Sequence, residues 1–513
     1  MSDLTDKRVL ILGLGESGLA MARWCLREGA RVRVADTRAE PPQRAALAAL
    51  SGDVDARFGA FDAALLDGVD VLAISPGLAP RAEPQAALLA QARAAGVEIV
   101  GEIELFARAL ATLKADAGYA PKLVAITGTN GKTTVTRLVG RMCESAGRSV
   151  AVAGNVSPAA LDALVDALDA PDGRALPDVW VLELSSFQLE TTRTLVATSA
   201  TVLNVTQDHL DWHGDMAAYT KAKAAVFAPL TVRVLNRDDE RVMAMDLADA
   251  PSVRFGLDAP AFPGDFGVSR DRDDADGLRW LALAEGSDPD AEARGLVPGK
   301  TIGRRRGAKA PVRTAGPVRV KRLMPVDALR LRGDHNVANV LAAFALGRAV
   351  GLPMAAMLRA AGAYRGEPHR MAFVLAHDGV DWIEDSKGTN VGATVAALQG
   401  LGRTVVLIAG GLGKGQDFSP LAAPVARHAR AVLLIGRDRA VLRDALAGTG
   451  VALFDCDSLE QAVDEAARLA EPGDVVLLSP ACASLDMFRD YEARADAFVA
   501  AVRRVAEAEG ATC

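Results

Sequence analysis

Buried β-type runs that end in glycine-rich turns and pass directly into helical stretches recur along this chain, and they restrict it to doubly wound α/β architecture. Residues 8–36, RVLILGLGESGLAMARWCLREGARVRVAD, read as strand, turn, helix and a second strand ending at Asp36. The runs VDVLAISPG (69–77) and GVEIVGE (96–102) continue the alternation. A second series begins at Lys122 with LVAITG, a helix from about Thr133, SVAVAGN, VWVLELSS and ATVLNVT. A third follows EPHRMAF with RTVVLIAGG, AVLLIG, ALFDCDS and DVVLLSPACAS between Ala-rich helical stretches. Short apolar strands separated by helices are what parallel sheets require, because each parallel connection must cross over. At 513 residues the chain exceeds one hydrophobic core, and a prior of roughly 150 residues per domain gives about three. The expected division is 1–101, 102–366 and 367–513, each α/β with a mostly parallel sheet.

Residues 259–325 interrupt the pattern. DFGVSRDRDDADG is acid-rich, whereas 300–322 carries nine basic residues and no acid. Gly and Pro interleave those charges and no aromatic residue is present to stack on bases, so a mobile insertion is expected here rather than a nucleic-acid patch. No strand leads into the GKT at 299–301, which is therefore set aside as a phosphate loop. The formal charge of −7 also argues against nucleic acid as the main partner. Five scattered cysteines, never spaced C-x-x-C, suggest neither a disulfide framework nor a zinc site. No run of about 18 apolar residues occurs and the N-terminus is unlike a signal peptide, so a cytoplasmic protein without membrane insertion is expected.

Chemistry concentrates where strands end. In GTNGKTT (128–134) a strand enters a Gly-containing turn and a helix, so backbone N–H groups and a helix N-terminus converge where Lys132 can neutralise phosphate oxygens. Thr133 is placed to offer its hydroxyl to magnesium. The full Walker spacing is not met, since Ile126 stands where its first Gly would be, and a structural turn with a chance lysine is the alternative. GLGESG (13–18) with Asp36 matches a dinucleotide fingerprint, yet it specifies only close approach of backbone to a diphosphate, which a uridine diphosphate also has. Glu183 lies near the C-terminal end of VWVLELSS, suited to a metal or to capping like Ser185 and Ser186. NVTQDHLDWHG presents Asp208, His209 and Asp211, followed by Lys221 and Lys223 on a helix. Asn336 and Asn339 share a helical face able to bond a base or phosphate, unless Asp334 merely caps that helix. Arg370 offers a fork for phosphate or carboxylate. Three loops, with Asp385, Lys387 and Thr389, with Lys414, and with Ser484, read as one pocket for a small acidic ligand.

Taken in order, GLGESG, DTR, SPG, GEIELF, TGTNGKTT, GN, LELSSFQLE, LNVTQDHLD, HN, PHR, DSKGTN, GG-x-GK and SPACASLD resemble the Mur ligase family over nearly the whole chain, and among its members those adding D-glutamate to UDP-N-acetylmuramoyl-L-alanine in peptidoglycan synthesis. Another Mur ligase or a folylpolyglutamate synthetase-like ligase is the close alternative. The resemblance implies a Rossmann-like UDP-binding domain, a central ATP-binding domain and a C-terminal Rossmann-like domain for D-glutamate. By it, Gly15, Glu16, Ser17, Asp36, Thr37, Arg38, Ser75, Pro76 and Gly77 take the UDP substrate, with Asn155 and His209 meeting its acyl part. Gly128, Thr129, Asn130, Gly131, Lys132, Thr133, Thr134, Asn336, Asn339, Arg370 and Asp385 take ATP. Lys387, Thr389, Lys414, Ser484, Leu485 and Tyr491 take D-glutamate, Tyr491 standing where phenylalanine is familiar. Lys132, Glu183, His209 and Lys223 are the implied catalytic residues. Two magnesium ions are implied at Thr133, Glu183, His209 and Lys223, the last as a carbamate formed with carbon dioxide. Small-molecule partners and a monomeric enzyme complete the expectation.

Overall fold

A first all-parallel sheet is built from β1 (Arg8–Leu12), β2 (Arg31–Asp36), β3 (Val54–Phe58), β4 (Val71–Ile74) and β5 (Glu98–Val100), in the order β3-β2-β1-β4-β5. The computed structural model describes residues 4–170, 176–270, 277–286, 318–331 and 333–510. β1 passes through Gly13, at φ +87°, into helix Glu16–Arg27. A Cβ at Gly18 would meet the Gly13 carbonyl at 2.0 Å, so the third glycine of the turn lets helix and strand approach.

The second sheet comprises β6 (Lys122–Thr127), β7 (Val150–Gly154), β8 (Val179–Glu183), β9 (Ser199–Val202), β10 (Val232–Asn236), β11 (Ser252–Phe255), β12 (Phe266–Ser269), β13 (Trp280–Gly286) and β14 (Val318–Pro325). Its order is β14-β13-β12-β11-β10-β9-β6-β8-β7. Every residue of β8 is buried, as a central parallel strand demands, and the buried Trp180 donates its indole N–H to Tyr119, whose hydroxyl donates to the Pro177 carbonyl. Helix Lys132–Ser145 packs against helices Asp334–Ala349 and Met354–Ala363 on one face of this sheet.

The stretch expected to be an insertion is corrected at its flanks: β12, β13 and β14 extend the central sheet, with β12–β13 and β13–β14 antiparallel. The remainder of the basic segment, including the GKT at 299–301, lies outside the described residues.

The third sheet contains β15 (Ala372–His377), β16 (Val380–Glu384), β17 (Val405–Gly410), β18 (Ala429–Ile435), β19 (Ala452–Asp455) and β20 (Val475–Leu478), ordered β15-β16-β20-β17-β18-β19. Only the β15–β16 pair is antiparallel. β16, β20 and β17 are neighbours running the same way, so the three loops read from sequence as one pocket emerge side by side. Among the described residues no helix is long and apolar enough to cross a membrane.

Candidate functional site

At the first sheet's C-terminal edge the glycine turn is held by its own neighbours. The Asp36 carboxylate accepts from Leu14 N–H at 2.7 Å and from Arg38 through its backbone and guanidinium at 2.7–2.9 Å. Burial pushes this acid up, but the hydrogen bonds from Arg38 and Leu14 outweigh it and bring the pKa down to about 2. Ser75 Oγ donates to the Gly13 carbonyl at 2.8 Å. Gly15, Glu16 and Ser17 open the helix, where N–H groups lack intrahelical acceptors, and Thr37, Arg38 and Gly77 are exposed around the turn, with Pro76 half-buried. Asn155, expected to meet the same substrate, belongs to the central sheet.

There, β7, β8, β6 and β9 lie side by side, and each contributes at its C-terminal end. β6 leads into the loop Gly128–Gly131, where Gly128 has φ +154° and Gly131 φ +83°. A Cβ at Gly131 would fall 2.4 Å from Asn339 Oδ1, so both conformation and space require glycine. Lys132 Nζ donates to the Gly128 and Thr129 carbonyls at 2.9 and 2.8 Å. Thr133 and Thr134 are buried in the first helical turn. Glu183 ends β8, 2 % exposed. Its Oε1 accepts from Asn155 Nδ2 at 2.9 Å, while Oε2 is buried with no hydrogen-bond partner among the described residues. An unsatisfied buried carboxylate oxygen beside a phosphate loop fits a cation. No cluster of three or more His, Cys, Asp or Glu side chains able to hold a metal occurs among the described residues.

β9 runs into Asn204 and the turn bearing Asp208 and His209. His209 has φ +53° and its ring packs edge-on against Phe187 at 4.8 Å. Burial lowers its pKa to about 4 despite the pull of Asp208, and Lys414, Lys132 and Lys223 add to the effect, so the imidazole is neutral near pH 7. Lys223, 2 % exposed, donates to the Gly128 carbonyl at 2.8 Å and lies 4.5 Å from the Tyr219 ring centre. Two lysines thus share one carbonyl oxygen. Burial first, and then the charge of Lys132, drive the Lys223 amine well below its ordinary pKa. Lys221 and Asp211 are exposed and do not join the cluster.

A cavity of about 410 Å³ between the second and third sheets is lined by Asn130, Gly131, Thr134, Asn336, Asn339, Arg370 and Asp385 among others. Asn339 Nδ2 donates to Asn336 Oδ1 at 3.2 Å, and Arg370 Nε is buried without a partner among the described residues. Burial raises Asp385 to about 7 even though Ser479 Oγ donates to it at 2.8 Å. Beyond it, Lys387 lies 5.2 Å from the Tyr491 ring centre and, with Arg370, is close enough to bear on the Lys132 charge, as Lys414 is on His209. Ser484 is buried and Thr389 half-buried; the Leu485 side chain is 66 % exposed.

Four residues of this region had no role assigned from the sequence. Arg494, 1 % exposed, donates to Ser386 Oγ and O at 2.9 and 2.8 Å and to the Cys482 carbonyl at 3.1 Å, bracing two pocket loops against each other. Asn204 Oδ1 accepts from Asn130 N–H at 2.8 Å and its Nδ2 donates to the Asn130 carbonyl at 3.1 Å. Asn390 and Gly392 join the third domain to that same loop.

Family models match three successive parts of the chain: Mur ligase MurD-like, N-terminal domain, over residues 7–101; Mur ligase middle domain over 126–279; and Mur ligase, glutamate ligase domain, over 369–482. The chain is 59 % identical over 512 residues to a UDP-N-acetylmuramoylalanine--D-glutamate ligase of Burkholderia pseudomallei, covering 98 % of each. To the enzyme of that name from Burkholderia thailandensis it is 58 % identical at the same coverage. Its fold is similar to that of MurF ligase from Thermotoga maritima in complex with ADP, with TM-score 0.56, 14 % identity and 99 % and 100 % of the two chains covered. It is also similar to UDP-N-acetylmuramate-alanine ligase MurC from the same organism, at TM-score 0.54, 18 % identity and 97 % and 99 % coverage. With all three domains matched and a full-length relative at this identity, the chain belongs to the Mur ligase family.

Proposed function

We infer that the protein is an ATP-dependent ligase that adds D-glutamate to UDP-N-acetylmuramoyl-L-alanine in peptidoglycan precursor synthesis. One observation carries the assignment of its site: the phosphate loop, the unsatisfied Glu183 and Asn155 stand in a row on one sheet edge, with Lys387 and Lys414 of the third domain near enough to act on the charges of Lys132 and His209. ATP would lie along the 410 Å³ cavity with its phosphates at Gly128–Thr134. The γ-phosphoryl passes to the carboxylate of the muramoyl-L-alanine, releasing ADP. The neutral D-glutamate amine then attacks the acyl carbon, an amide C–N bond forms, the acyl C–O bond breaks, and phosphate leaves as the nitrogen gives up one of its two protons.

The chain's own groups do most of this by position and charge. Lys132 balances charge on the transferring phosphoryl group. Asn155 orients Glu183, and His209, being neutral, offers the acyl group a ring nitrogen without adding a further cation. Magnesium held by Thr133 and Glu183, and a second ion by His209 and a carbamylated Lys223, would supply positive charge against the phosphate oxygens. The proposed domain limits are 1–101, 102–366 and 367–513, with the UDP group at Gly15–Ser17, Asp36–Arg38 and Ser75–Gly77, and with the enzyme acting as a cytoplasmic monomer.

Phosphate release measured with each substrate omitted in turn tests the function. Release should require ATP, UDP-N-acetylmuramoyl-L-alanine and D-glutamate together, and undiminished release with L-glutamate in place of D-glutamate would contradict it. Within that reaction, Lys387→Ala and Lys414→Ala should each raise KM for D-glutamate by roughly tenfold or more, the scale of one lost charge-assisted hydrogen bond. KM for ATP should change far less, and equal changes in both constants would move the amino-acid pocket elsewhere.

A further inference from the structure

The third domain meets the phosphate loop through one small junction. Asn204 grips the Asn130 backbone from both sides, which leaves the Asn130 side chain turned toward the third domain. It forms a reciprocal amide pair there: Asn390 Nδ2 donates to Asn130 Oδ1 at 2.9 Å, and Asn130 Nδ2 donates to Asn390 Oδ1 at 3.1 Å. Asn390 Nδ2 also reaches Asp208 Oδ2 at 3.3 Å, and Asp208 Oδ1 accepts the His209 N–H at 2.9 Å. The same Asn390 Oδ1 caps helix Val391–Leu401 by accepting the Ala393 N–H at 2.9 Å. Asn390 is 4 % exposed, so its donors and acceptors are satisfied inside the junction rather than by water.

Gly392 supplies an independent observation. Its backbone is helical, so nothing local calls for glycine, and helix propensity favours alanine. A Cβ there would lie 2.8 Å from Thr206 Oγ1 and 3.3 Å from Asn130 Nδ2, both in the central domain. Thr206 is β-branched and cannot easily swing away. The missing side chain is explained by what stands across the junction.

We propose that Asn390 is a positioning residue that, with Gly392 giving room, locks the amino-acid loop onto the phosphate loop and the His209 turn. Lys387 and Thr389 lie three and one residues before it, and Lys132 lies two after Asn130. The pair is therefore a direct link between the group that neutralises the phosphoryl charge and the groups that hold the attacking amine. Such a link acts on the orientation of the reacting atoms, where small displacements lower turnover steeply. The proposal rests on the assignment of the Lys387 loop to D-glutamate.

The test uses the full-length enzyme and its phosphate-release kinetics. Asn390→Asp keeps the oxygen that caps the helix but sets an acceptor against Asn130 Oδ1 and Asp208. It should lower kcat by about tenfold or more while KM for UDP-N-acetylmuramoyl-L-alanine stays within about twofold. Gly392→Ala should give the same pattern with an unfolding temperature equal to or above that of the parent. Asn130→Ala and Asn390→Ala combined should be no slower than the slower single variant, as for two halves of one contact. Parent-like kcat in both Asn390→Asp and Gly392→Ala, or losses that multiply in the double variant, would overturn the link. A lowered unfolding temperature with unchanged kcat would do so too, leaving only a structural role. Failure of the underlying pocket assignment would show separately, as an unaltered KM for D-glutamate in Lys387→Ala.

Discussion

Lys132→Ala should abolish ligase turnover, lowering kcat by about a thousandfold or more, while the far-UV circular dichroism and unfolding temperature stay close to those of the parent. The rate loss follows from removing a fixed positive charge at the place where charge shifts during phosphoryl transfer, a contribution of roughly 3–4 kcal/mol or more in comparable sites. The fold should be spared because, among the described residues, the ammonium hydrogen-bonds the carbonyls of its own loop, Gly128 and Thr129, and it fills no apolar core. Burial already lowers its pKa, so its removal relieves a desolvation penalty instead of opening a cavity. Undiminished ADP formation by the variant would remove the phosphate loop from the reaction.

Lys223→Ala should have a comparably large effect, with kcat reduced by about a hundredfold or more, and short carboxylic acids should restore part of the activity. Both lysine nitrogens hydrogen-bond the Gly128 carbonyl, so they lie within about 6 Å of each other. Two ammonium charges at that distance repel by about 3 kcal/mol at an effective dielectric near 20. The lowered pKa of Lys223 favours the neutral amine, the form that can add to carbon dioxide: an N–C bond forms, one proton is released, and the neutral amine becomes an anion. Activity of the parent enzyme should accordingly fall in carbon dioxide-depleted buffer and return with bicarbonate. Full activity in Lys223→Ala, without response to carboxylic acids, would leave the lysine as a packing residue beside Tyr219.

The parts legible in the sequence are those where one residue type has one use. β6 and β8 carry the apolar runs LVAI and VWVL because both faces of a central parallel strand are covered. The glycines at 128 and 131 stand where the backbone needs positive φ. β13 and β14 escaped notice for the opposite reason. β14, VRVKRLMP, lies at the sheet edge with its basic residues exposed, and the charges that suit an edge strand read as an irregular segment. Asn390 escaped because an Asn before a helix already has an adequate explanation as a cap, which it also is. Arg494 belongs to no motif in its Ala-rich helix, and it is the meeting of the 386 and 482 loops that gives its guanidinium three acceptors. Asp36 was read, from its position at a strand end, as part of the nucleotide fingerprint and as a group for the UDP substrate. Its partners Leu14 and Arg38 belong to the turn itself, so the same position also serves to hold that turn in shape.

The central claim is that the phosphate loop activates the acyl carboxylate before the amine of D-glutamate attacks it, and the fate of one oxygen atom tests it directly. UDP-N-acetylmuramoyl-L-alanine labelled with ¹⁸O in the alanine carboxylate, incubated with enzyme, ATP and D-glutamate, should yield inorganic phosphate carrying one ¹⁸O atom for each amide formed. Amide formation with all the label retained in the peptide product or appearing in water, and none in phosphate, would contradict the account.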